Sequence, residues 1–283
     1  MKKSVTIRVP GTTSNLGPGF DCLGIAFQIY NFIQVTRSEI ATKDAMVKEA
    51  ADAFFKTAKI KPFRFSWEIT GKVPRSRGLG SSVTVRLGIL HALNALHGAR
   101  ISAETLYHLC SGLEGHPDNA APAAFGGFTV SRQDFTCLRT PVSGKLSFVL
   151  LIPPFEIATT SARKVLPKQV TFKDAVANVG NTALITAAFT SKRYEMLRGS
   201  FSDHLHQPFR KKFLPDMEKI IRAGTRAGAL GGWLSGSGSA IACVTLSNPQ
   251  KVSEAMLRAS GIKDAQTIIT KADNTGVKIL TGS

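Results

Sequence analysis

Acidic residues are scarce in this chain of 283 residues, which has 19 Asp and Glu against 36 Lys and Arg and a formal net charge of +17. Such an excess of positive charge favours contact with anions, nucleic acid among them, but it identifies none of them. The basic residues are scattered, and the interleaved basic and aromatic residues of a single-strand binding face are missing. We therefore expect no specific nucleic-acid partner.

Cysteine is also scarce, and long apolar runs are absent. The four cysteines lie far apart without a C-x-x-C pair, which excludes a disulfide framework and argues against a zinc site. We expect buried free thiols in a reducing compartment. No run approaches the ~18 apolar residues of a membrane span, and the N-terminal residues alternate as a strand does rather than forming a signal peptide. The sequence therefore predicts a cytoplasmic protein without a membrane partner.

Strand-like and helix-like segments are mixed along the chain, which predicts an α+β fold. A turn-rich segment near residue 143 predicts a boundary between a domain of residues 1–143 and a domain of residues 144–283. The predicted strands are residues 5–9, 31–36, 63–69, 128–131, 147–152, 229–234, 240–246 and 276–280. The predicted helices are residues 45–57, 82–96, 103–111, 173–190, 214–223 and 251–259.

The most informative segment is a Gly/Ser loop that leads into an amphipathic helix. Backbone N–H groups and the positive end of the helix dipole would meet there, which suits a phosphate. The glycine spacing fits neither G-x-x-x-x-G-K-[ST] nor G-x-G-x-x-G, and an ordinary loop capped by Ser81 or Ser82 is the alternative. The predicted phosphate-binding residues are Pro74, Arg75, Ser76, Arg77, Gly78, Leu79, Gly80, Ser81, Ser82, Val83 and Thr84.

Three further segments support a phosphate-binding role. Residues 10–21 and 231–239 are glycine-rich, and residues 114–123 read E-G-H-P-D-N-A-A-P-A. In this order the segments resemble the signature motifs of the GHMP kinases, and N-L-G-P-G-F-D and H-P-D-N-x-A-P-A resemble the homoserine kinases among them. The resemblance implies a two-domain GHMP kinase fold. Its N-terminal, ribosomal-protein-like domain has a left-handed β-α-β crossover, its C-terminal domain is ferredoxin-like, and the active site lies between them.

The resemblance also implies a reaction, the ATP-dependent phosphorylation of the side-chain hydroxyl of L-homoserine on the route to threonine. Such a transfer needs the triphosphate held, its charge offset by Mg²⁺ and the acceptor hydroxyl placed in line. The implied catalytic residues are Asp118 and Asn119, and the implied Mg²⁺ ligands are Ser82 and Glu114. The remaining implied residues are Asn15, Asp21, Thr159, Arg163 and Arg210 for the amino acid and Ser235, Gly236, Ser237 and Gly238 for the nucleotide.

Several alternatives stay open at this stage. The pattern does not decide whether Asp118 or Asn119 faces the hydroxyl, and a homodimer is left open. Residues 37–45 form a shorter segment than is typical of homoserine kinases, so the adenine contacts are undefined. The competing functions are another small-alcohol kinase of the same family and a basic nucleic-acid-binding protein built on the N-terminal fold.

Overall fold

The computed structural model describes residues 3–39, 42–98 and 101–280, with short 3-10 turns at Tyr194–Leu197 and Lys211–Phe213. The strands are β1 (Ser4–Asn15), β2 (Gly19–Arg37), β3 (Phe65–Gly71), β4 (Phe128–Ser131), β5 (Cys137–Thr140), β6 (Ser147–Ile152), β7 (Gly231–Leu234), β8 (Ile241–Thr245), β9 (Gln266–Thr270) and β10 (Lys278–Leu280). The α-helices are α1 (Ala45–Ala58), α2 (Ser81–His97), α3 (Ala103–Glu114), α4 (Ala120–Phe125), α5 (Thr159–Lys164), α6 (Phe172–Ser191), α7 (Gln207–Arg210), α8 (Met217–Arg226) and α9 (Pro249–Ser260).

The first sheet is antiparallel and is built around β2, a strand of 19 residues. β1 pairs with β2 along nearly its whole length, and β3 and β4 both pair with β2, at separate stretches of it. Strand β5 extends the sheet from β4, and β10 returns from the far end of the chain to pair with β1. Helices α1 to α4 cover one face of this sheet and bury a large apolar core with it.

The second sheet has the order β7-β8-β6-β9, so that the first and third of its strands lie at the centre, as in a ferredoxin-like βαββαβ unit. Alternation along β6 divides its side chains between two cores. Val149 and Leu151 pack with residues of α8 and α9, whereas Phe148 and Leu150 face the first sheet and α6. Phe148 meets Phe27 of β2 with ring centroids 5.1 Å apart, which joins the two sheets. The domain boundary near residue 143 stays a prediction.

Most of the predicted elements are present, and identifiable caps define the ends of two of the helices. Thr171 accepts a hydrogen bond from the Asp174 backbone at 3.1 Å and caps α6, and Gly98 ends α2 in the left-handed conformation. Helix α8 begins at Met217 rather than at residue 214, because the following proline disfavours helical backbone at Leu214.

Four strands depart from the predictions. Strand β1 continues to Asn15, six residues beyond the predicted end at residue 9, so part of the glycine-rich segment of residues 10–21 is strand. Strand β2 starts at Gly19, twelve residues before the predicted start of 31, because glycine and aspartate are poor strand formers and hide its first half. The short strands β5 and β9 were not predicted, since they carry no clear apolar alternation. The short helices α4, α5 and α7 are likewise too brief to give a helical period.

All four cysteines are free, but the expectation that all are buried is wrong. Cys110 and Cys243 are buried, whereas Cys22 and Cys137 are partly exposed, because Cys22 lies beside the cleft and Cys137 lies on the outer strand β5. Within residues 3–39, 42–98 and 101–280, no helix is both long and apolar enough to traverse a lipid bilayer.

Replacing Phe148 by alanine is expected to destabilise the protein by about 3–5 kcal/mol, because the fully buried ring leaves a cavity between the two sheets. Ile269→Ala on the neighbouring strand is the control, since Ile269 is 40% exposed, and it is expected to cost less than about 1 kcal/mol. Urea unfolding of both variants gives the two values. Equal costs would mean that Phe148 does not join the sheets.

Candidate active site

A cavity of about 180 Å³ lies in the cleft between the two sheets. Most of the predicted site residues line it, although they come from distant parts of the chain. Those lining it are Asn15, Asp21, Ser76, Gly78, Gly80, Ser81, Ser82, Val83, Glu114, Asp118, Asn119, Thr159, Arg163, Arg210, Gly236 and Ser237. Predicted residues outside its lining are Pro74, Arg75, Arg77, Leu79, Thr84, Ser235 and Gly238.

Some of the predicted residues that do not line the cavity stabilise the loops around it. Arg77 donates to the backbone oxygens of Pro153 and Pro154 at 3.0 and 2.7 Å, which ties the loop before α2 to the second domain. The side chains of Leu79 and Thr84 are buried, so any ligand contact there would come from the backbone. These residues therefore shape the cavity rather than face it.

The loop before α2 meets the glycine-rich segments of residues 10–21 and 231–239 through hydrogen bonds. Thr12 N–H donates to Leu79 at 3.1 Å and Ala240 N–H donates to Arg77 at 3.0 Å. The Ser235 hydroxyl donates to the carbonyl of Gly78 at 2.6 Å. A side chain at Gly78 would overlap this same Ser235 backbone, and the φ of Gly78 is +71°, so glycine is required there.

An irregularity in the pairing of β1 with β2 aims the end of β1 at the site. The register shifts after Pro10, as in a β-bulge. Thr12 and Ser14 then face Asn119, which accepts from the Thr12 hydroxyl at 2.7 Å and donates through its amide nitrogen to Ser14 Oγ at 2.8 Å. Thr13 faces the other side and accepts from the indole of Trp233 at 2.9 Å. Both ends of the Asn119 amide are thus occupied by β1.

The first turn of α2 opens onto the cavity without a side-chain cap. Gly80 is the N-cap with φ +68°, and no side-chain hydrogen bond caps the helix, so the cap by Ser81 or Ser82 that the alternative requires is not formed. Phosphate binding by this loop stays a prediction. The first N–H groups of a helix have no partner within the helix. Together with the helix dipole, they give the loop the character of an anion site.

Asp118 lies at the bottom of the cavity and is buried. Its Oδ1 receives hydrogen bonds from His116 Nδ1 at 2.8 Å and from the Asn119 backbone at 3.0 Å. Burial alone would raise the pKa of Asp118, but the hydrogen bond and charge of His116 outweigh it and lower the pKa. The pKa of His116 is raised, because Asp118 outweighs burial there too. Asp118 is therefore ionised at neutral pH.

Ser82 and Glu114 place two hard oxygens side by side on the cavity wall. The Ser82 hydroxyl donates to Glu114 Oε2 at 3.0 Å, and Glu114 Oε1 accepts from Arg86 at 2.7 Å. Within the described residues no cluster of three or more His, Cys, Asp or Glu side chains could hold a metal ion. A Mg²⁺ ion that keeps waters and phosphate oxygens needs only one or two protein ligands, so the pair fits that ion.

Asp21 and Arg163, which also line the cavity, form a bidentate ion pair. Arg163 donates to the two carboxylate oxygens at 2.7 and 3.0 Å, and Asp21 outweighs burial and raises the pKa of Arg163. Asp21 adopts φ +56°, held by a hydrogen bond of 3.0 Å from its N–H to the side chain of Asn15. A left-handed aspartate is strained, and such strain often marks a functional position.

Arg210 is a buried cation without a carboxylate partner. Among the described residues, no carboxylate lies within ion-pairing distance of it, and its donors reach the carbonyls of Ala162 and Gly236 at 3.2 and 2.9 Å. Burial, with the charge of Arg163, lowers the pKa of Arg210 to about 10, so it stays charged.

His206 and Phe20 support Arg210. Burial lowers the pKa of His206 to about 4, so the ring is neutral. Its Nε2 donates to Gly17 O at 2.8 Å, which leaves Nδ1 to accept from Arg210 at 3.2 Å. The Phe20 ring stacks on His206 and lies 5.3 Å from the Arg210 guanidinium. This packing holds the guanidinium against the cavity.

A second cavity of about 460 Å³ adjoins the first. The two share Ser76, Ser81 and Ser82, and Arg75 lines only the second. Its apolar lining comes from the start of α1, from β3, from the segment that follows β3 and from α2: Met46, Trp67, Ile69, Val73 and Val85. If a ligand bound in the first cavity carried a flat apolar group, that group could occupy the second cavity, beside α2.

Comparison with protein families agrees with this geometry. A model described as the GHMP kinases N terminal domain matches residues 45–127, and one described as the GHMP kinases C terminal matches residues 185–263. The first match contains the loop before α2 and Asp118, and the second contains Arg210 and the third glycine loop. The fold and the site thus define a two-domain GHMP kinase.

Comparison with individual proteins shows which GHMP kinases this chain is similar to. Homoserine kinase of Clostridium beijerinckii is 37% identical and the alignment covers 99% of both chains. Homoserine kinase of Caldicellulosiruptor bescii is 34% identical over 97% of this chain and 96% of its own. The crystal structure of homoserine kinase from Cytophaga hutchinsonii has a TM-score of 0.90 at 27% identity, covering 99% of this chain and 98% of that one. The chain belongs to the homoserine kinase family.

Sequence reasoning missed four side chains of the site. The Phe20 ring packs against Arg163 and Arg210. Thr12 and Ser14 position Asn119, and Arg86 binds Glu114. A signal for Arg86 was available, because it lies four residues after Ser82 and hence on the same helix face. The roles of Phe20, Thr12 and Ser14 depend on contacts between distant segments and have no local signal.

Gly80→Ala is expected to cost more stability than Gly98→Ala and to lower kinase turnover by roughly tenfold or more. Both glycines have positive φ, +68° and +66°, so the backbone strain is matched. A Cβ at Gly98 meets no atom of the described residues within 4 Å, whereas at Gly80 it overlaps the Thr12 hydroxyl. Urea unfolding and ADP release measure the two effects. Identical behaviour of the variants would contradict the close approach at Gly80.

His116→Gln is expected to destabilise the protein more at pH 5.5 than at pH 9, by on the order of 1 kcal/mol. The raised pKa of His116 contributes stability that is present in full below 6.5 and is lost as pH rises through the folded value. Unfolding free energies against pH measure the difference. In an Asp118→Asn background the same substitution should show no such pH dependence, and a persisting dependence would assign it to another group.

Proposed function

We propose that this chain transfers the γ-phosphoryl group of ATP to the side-chain hydroxyl of L-homoserine. One observation carries the assignment of the acceptor: the cleft holds a buried, unpaired guanidinium at Arg210 beside the Asp21–Arg163 ion pair. A buried cation without a carboxylate in contact is costly unless an anion pairs with it. An α-amino acid supplies that anion together with an ammonium group.

The amino-acid end of the substrate would enter between these charges. Its carboxylate would accept from Arg210 and from Arg163, whose planar donor groups match a carboxylate. Its ammonium would join Asp21 and the side-chain oxygen of Asn15. Thr159, whose hydroxyl lies 3.3 Å from that of Ser237, lines the same end. Because the ligand brings one charge of each sign, the existing ion pair keeps its balance.

The nucleotide would occupy the other end of the cleft. The uncapped first turn of α2, with Ser76, Gly78 and Gly80, would bind the phosphates, and Gly236 and Ser237 would close over them. The adjoining apolar cavity near Trp67 would hold the adenine. This assigns the adenine contacts that the sequence left open.

Ser82 and Glu114 would hold Mg²⁺ on the phosphate side of the cavity. When bound, Mg²⁺ offsets the negative charge of the transferring phosphoryl group. The two side chains are already oriented by their mutual hydrogen bond of 3.0 Å. A donor set of one hydroxyl and one carboxylate suits this hard cation better than a softer one.

Asp118 is the proposed catalytic residue, and Asn119 a positioning residue. Both ends of the Asn119 amide are bound by Thr12 and Ser14, which leaves Asp118 to face the acceptor hydroxyl. A carboxylate with a lowered pKa is a weak base at neutral pH. Asp118 therefore orients the hydroxyl and stabilises its developing positive charge more than it removes the proton.

The product, the location and the oligomeric state of the protein complete the proposal. The product would be O-phospho-L-homoserine, a precursor of threonine, made in the cytoplasm. The oligomeric state that we consider is a homodimer. The product and its use are proposals that rest on the relatives' activity, whereas the cytoplasmic location and the homodimer are proposals from the sequence alone.

A coupled ADP-release assay with homoserine, mevalonate, galactose and no acceptor tests the proposed activity. We expect turnover to depend on homoserine and to stay at the acceptor-free level with the other two alcohols. Higher turnover with mevalonate or galactose would assign the chain to another alcohol acceptor. Turnover that no acceptor changes would contradict the proposal altogether.

Asp118→Asn and Arg163→Ala are expected to reduce the activity through different kinetic constants. The first should lower kcat by ~10²–10⁴-fold, because the charge at the reacting hydroxyl is lost. The second should act mainly by raising KM for homoserine, by roughly 10–100-fold, since it removes carboxylate binding. Steady-state kinetics separates the two effects. The exposed pair Arg132 and Asp134 provides matched controls, Arg132→Ala and Asp134→Asn. Wild-type turnover in both site variants would remove these roles.

A further inference from the structure

Arg86 bridges two carboxylates at the edge of the cavity, and no motif assigned it a function. Its Nη1 donates to Glu114 Oε1 and its Nη2 donates to Glu49 Oε2, both at 2.7 Å. The Arg86 and Glu114 side chains are 13% and 9% exposed, whereas Glu49 is 52% exposed. Burial alone would lower the pKa of Arg86, but the two carboxylates outweigh it and raise the pKa. Arg86 is therefore a permanent cation.

The two carboxylate oxygens of Glu114 have different hydrogen-bond partners. Oε1 is bound by the guanidinium of Arg86, and Oε2 is bound by the Ser82 hydroxyl on the cavity wall. The carboxylate is fixed in rotation, with one oxygen facing the cation and the other facing the cavity. Its negative charge is compensated before any ligand enters the cleft.

We propose that Arg86 weakens the Ser82–Glu114 pair as a site for a divalent cation that arrives without nucleotide. The inference rests on the proposed metal role of this pair. A guanidinium in contact with one carboxylate oxygen repels a divalent cation on the other, and this repulsion is weakly screened in a partly buried place. The negative phosphates of ATP offset it, so the cation binds together with the nucleotide.

A purely structural role for Arg86 predicts a different outcome. Arg86 lies on α2 and joins Glu49 of α1 to Glu114 at the end of α3, so it also helps to hold these helices together. Loss of that link alone would lower the melting temperature and leave the affinity for a free cation unchanged or lower. Loss of charge compensation would instead raise that affinity.

Titration of nucleotide-free enzyme with Mn²⁺, with free Mn²⁺ followed by electron paramagnetic resonance, tests the proposal. We expect Arg86→Met to bind Mn²⁺ roughly tenfold more tightly than wild type, because one opposing charge is removed. Excess Mg²⁺ should displace the bound Mn²⁺. The gain should vanish in the double variant Arg86→Met with Glu114→Gln, and Arg86→Lys, which keeps the charge, should stay close to wild type.

Two controls separate the local charge from other effects. Arg132→Met removes one cation from an exposed pair, and it should leave Mn²⁺ affinity unchanged although the net charge falls equally. Glu49→Gln leaves the Arg86–Glu114 contact in place and should not tighten Mn²⁺ binding. Melting temperatures verify that each variant folds, and Arg86→Gln replaces Arg86→Met if the latter does not.

Failure of this inference and failure of the proposed metal site are distinguishable. If Arg86→Met binds Mn²⁺ no more tightly than wild type, while Glu114→Gln weakens Mn²⁺ binding in the presence of a non-hydrolysable ATP analogue, the role of Arg86 is refuted and the site stands. If Glu114→Gln leaves Mn²⁺ binding with the analogue unchanged, the metal site itself is refuted, and the proposal for Arg86 falls with it.

Discussion

The close approach of the backbone at Gly78 to that at Ser235 is the contact on which the cleft depends. It brings a loop of the first domain against a loop of the second, and the Ser235 hydroxyl closes the contact on the Gly78 carbonyl. Thr12 adds the third loop through Leu79. These hydrogen bonds define the position of the first turn of α2 and thereby of the anion site.

Charge is arranged in the cleft before any ligand arrives. Asp21 is paired with Arg163, Asp118 with His116, and Glu114 with Arg86. Pairing keeps these groups oriented in a partly buried place, which lowers the reorganisation needed when substrates bind. Arg210 is the exception, since its donors end on carbonyls and on a neutral histidine. The unpaired charge gives the cleft a preference for an anionic group at that end.

The sequence predicted the parts of the site that are carried by local motifs. The loop before α2, Asp118 in H-P-D-N and the strongly periodic helices were accessible, because their signal lies within about ten residues. The mutual pairing of Asp21 with Arg163 was not, since residues 142 positions apart in the chain carry no local signal of their contact. The first half of β2 was missed because its glycines hide the strand, although this half places Asp21, with φ +56°, at the cavity.

The central claim is that the three glycine loops form one cradle for a triphosphate beside a pocket for an amino acid. A crystal structure with a non-hydrolysable ATP analogue, Mg²⁺ and L-homoserine tests this most directly. We predict phosphate oxygens within hydrogen-bond distance of backbone N–H groups between Gly78 and Ser82, and the homoserine carboxylate on Arg210. Phosphate density elsewhere, with the loop before α2 empty, would contradict the account.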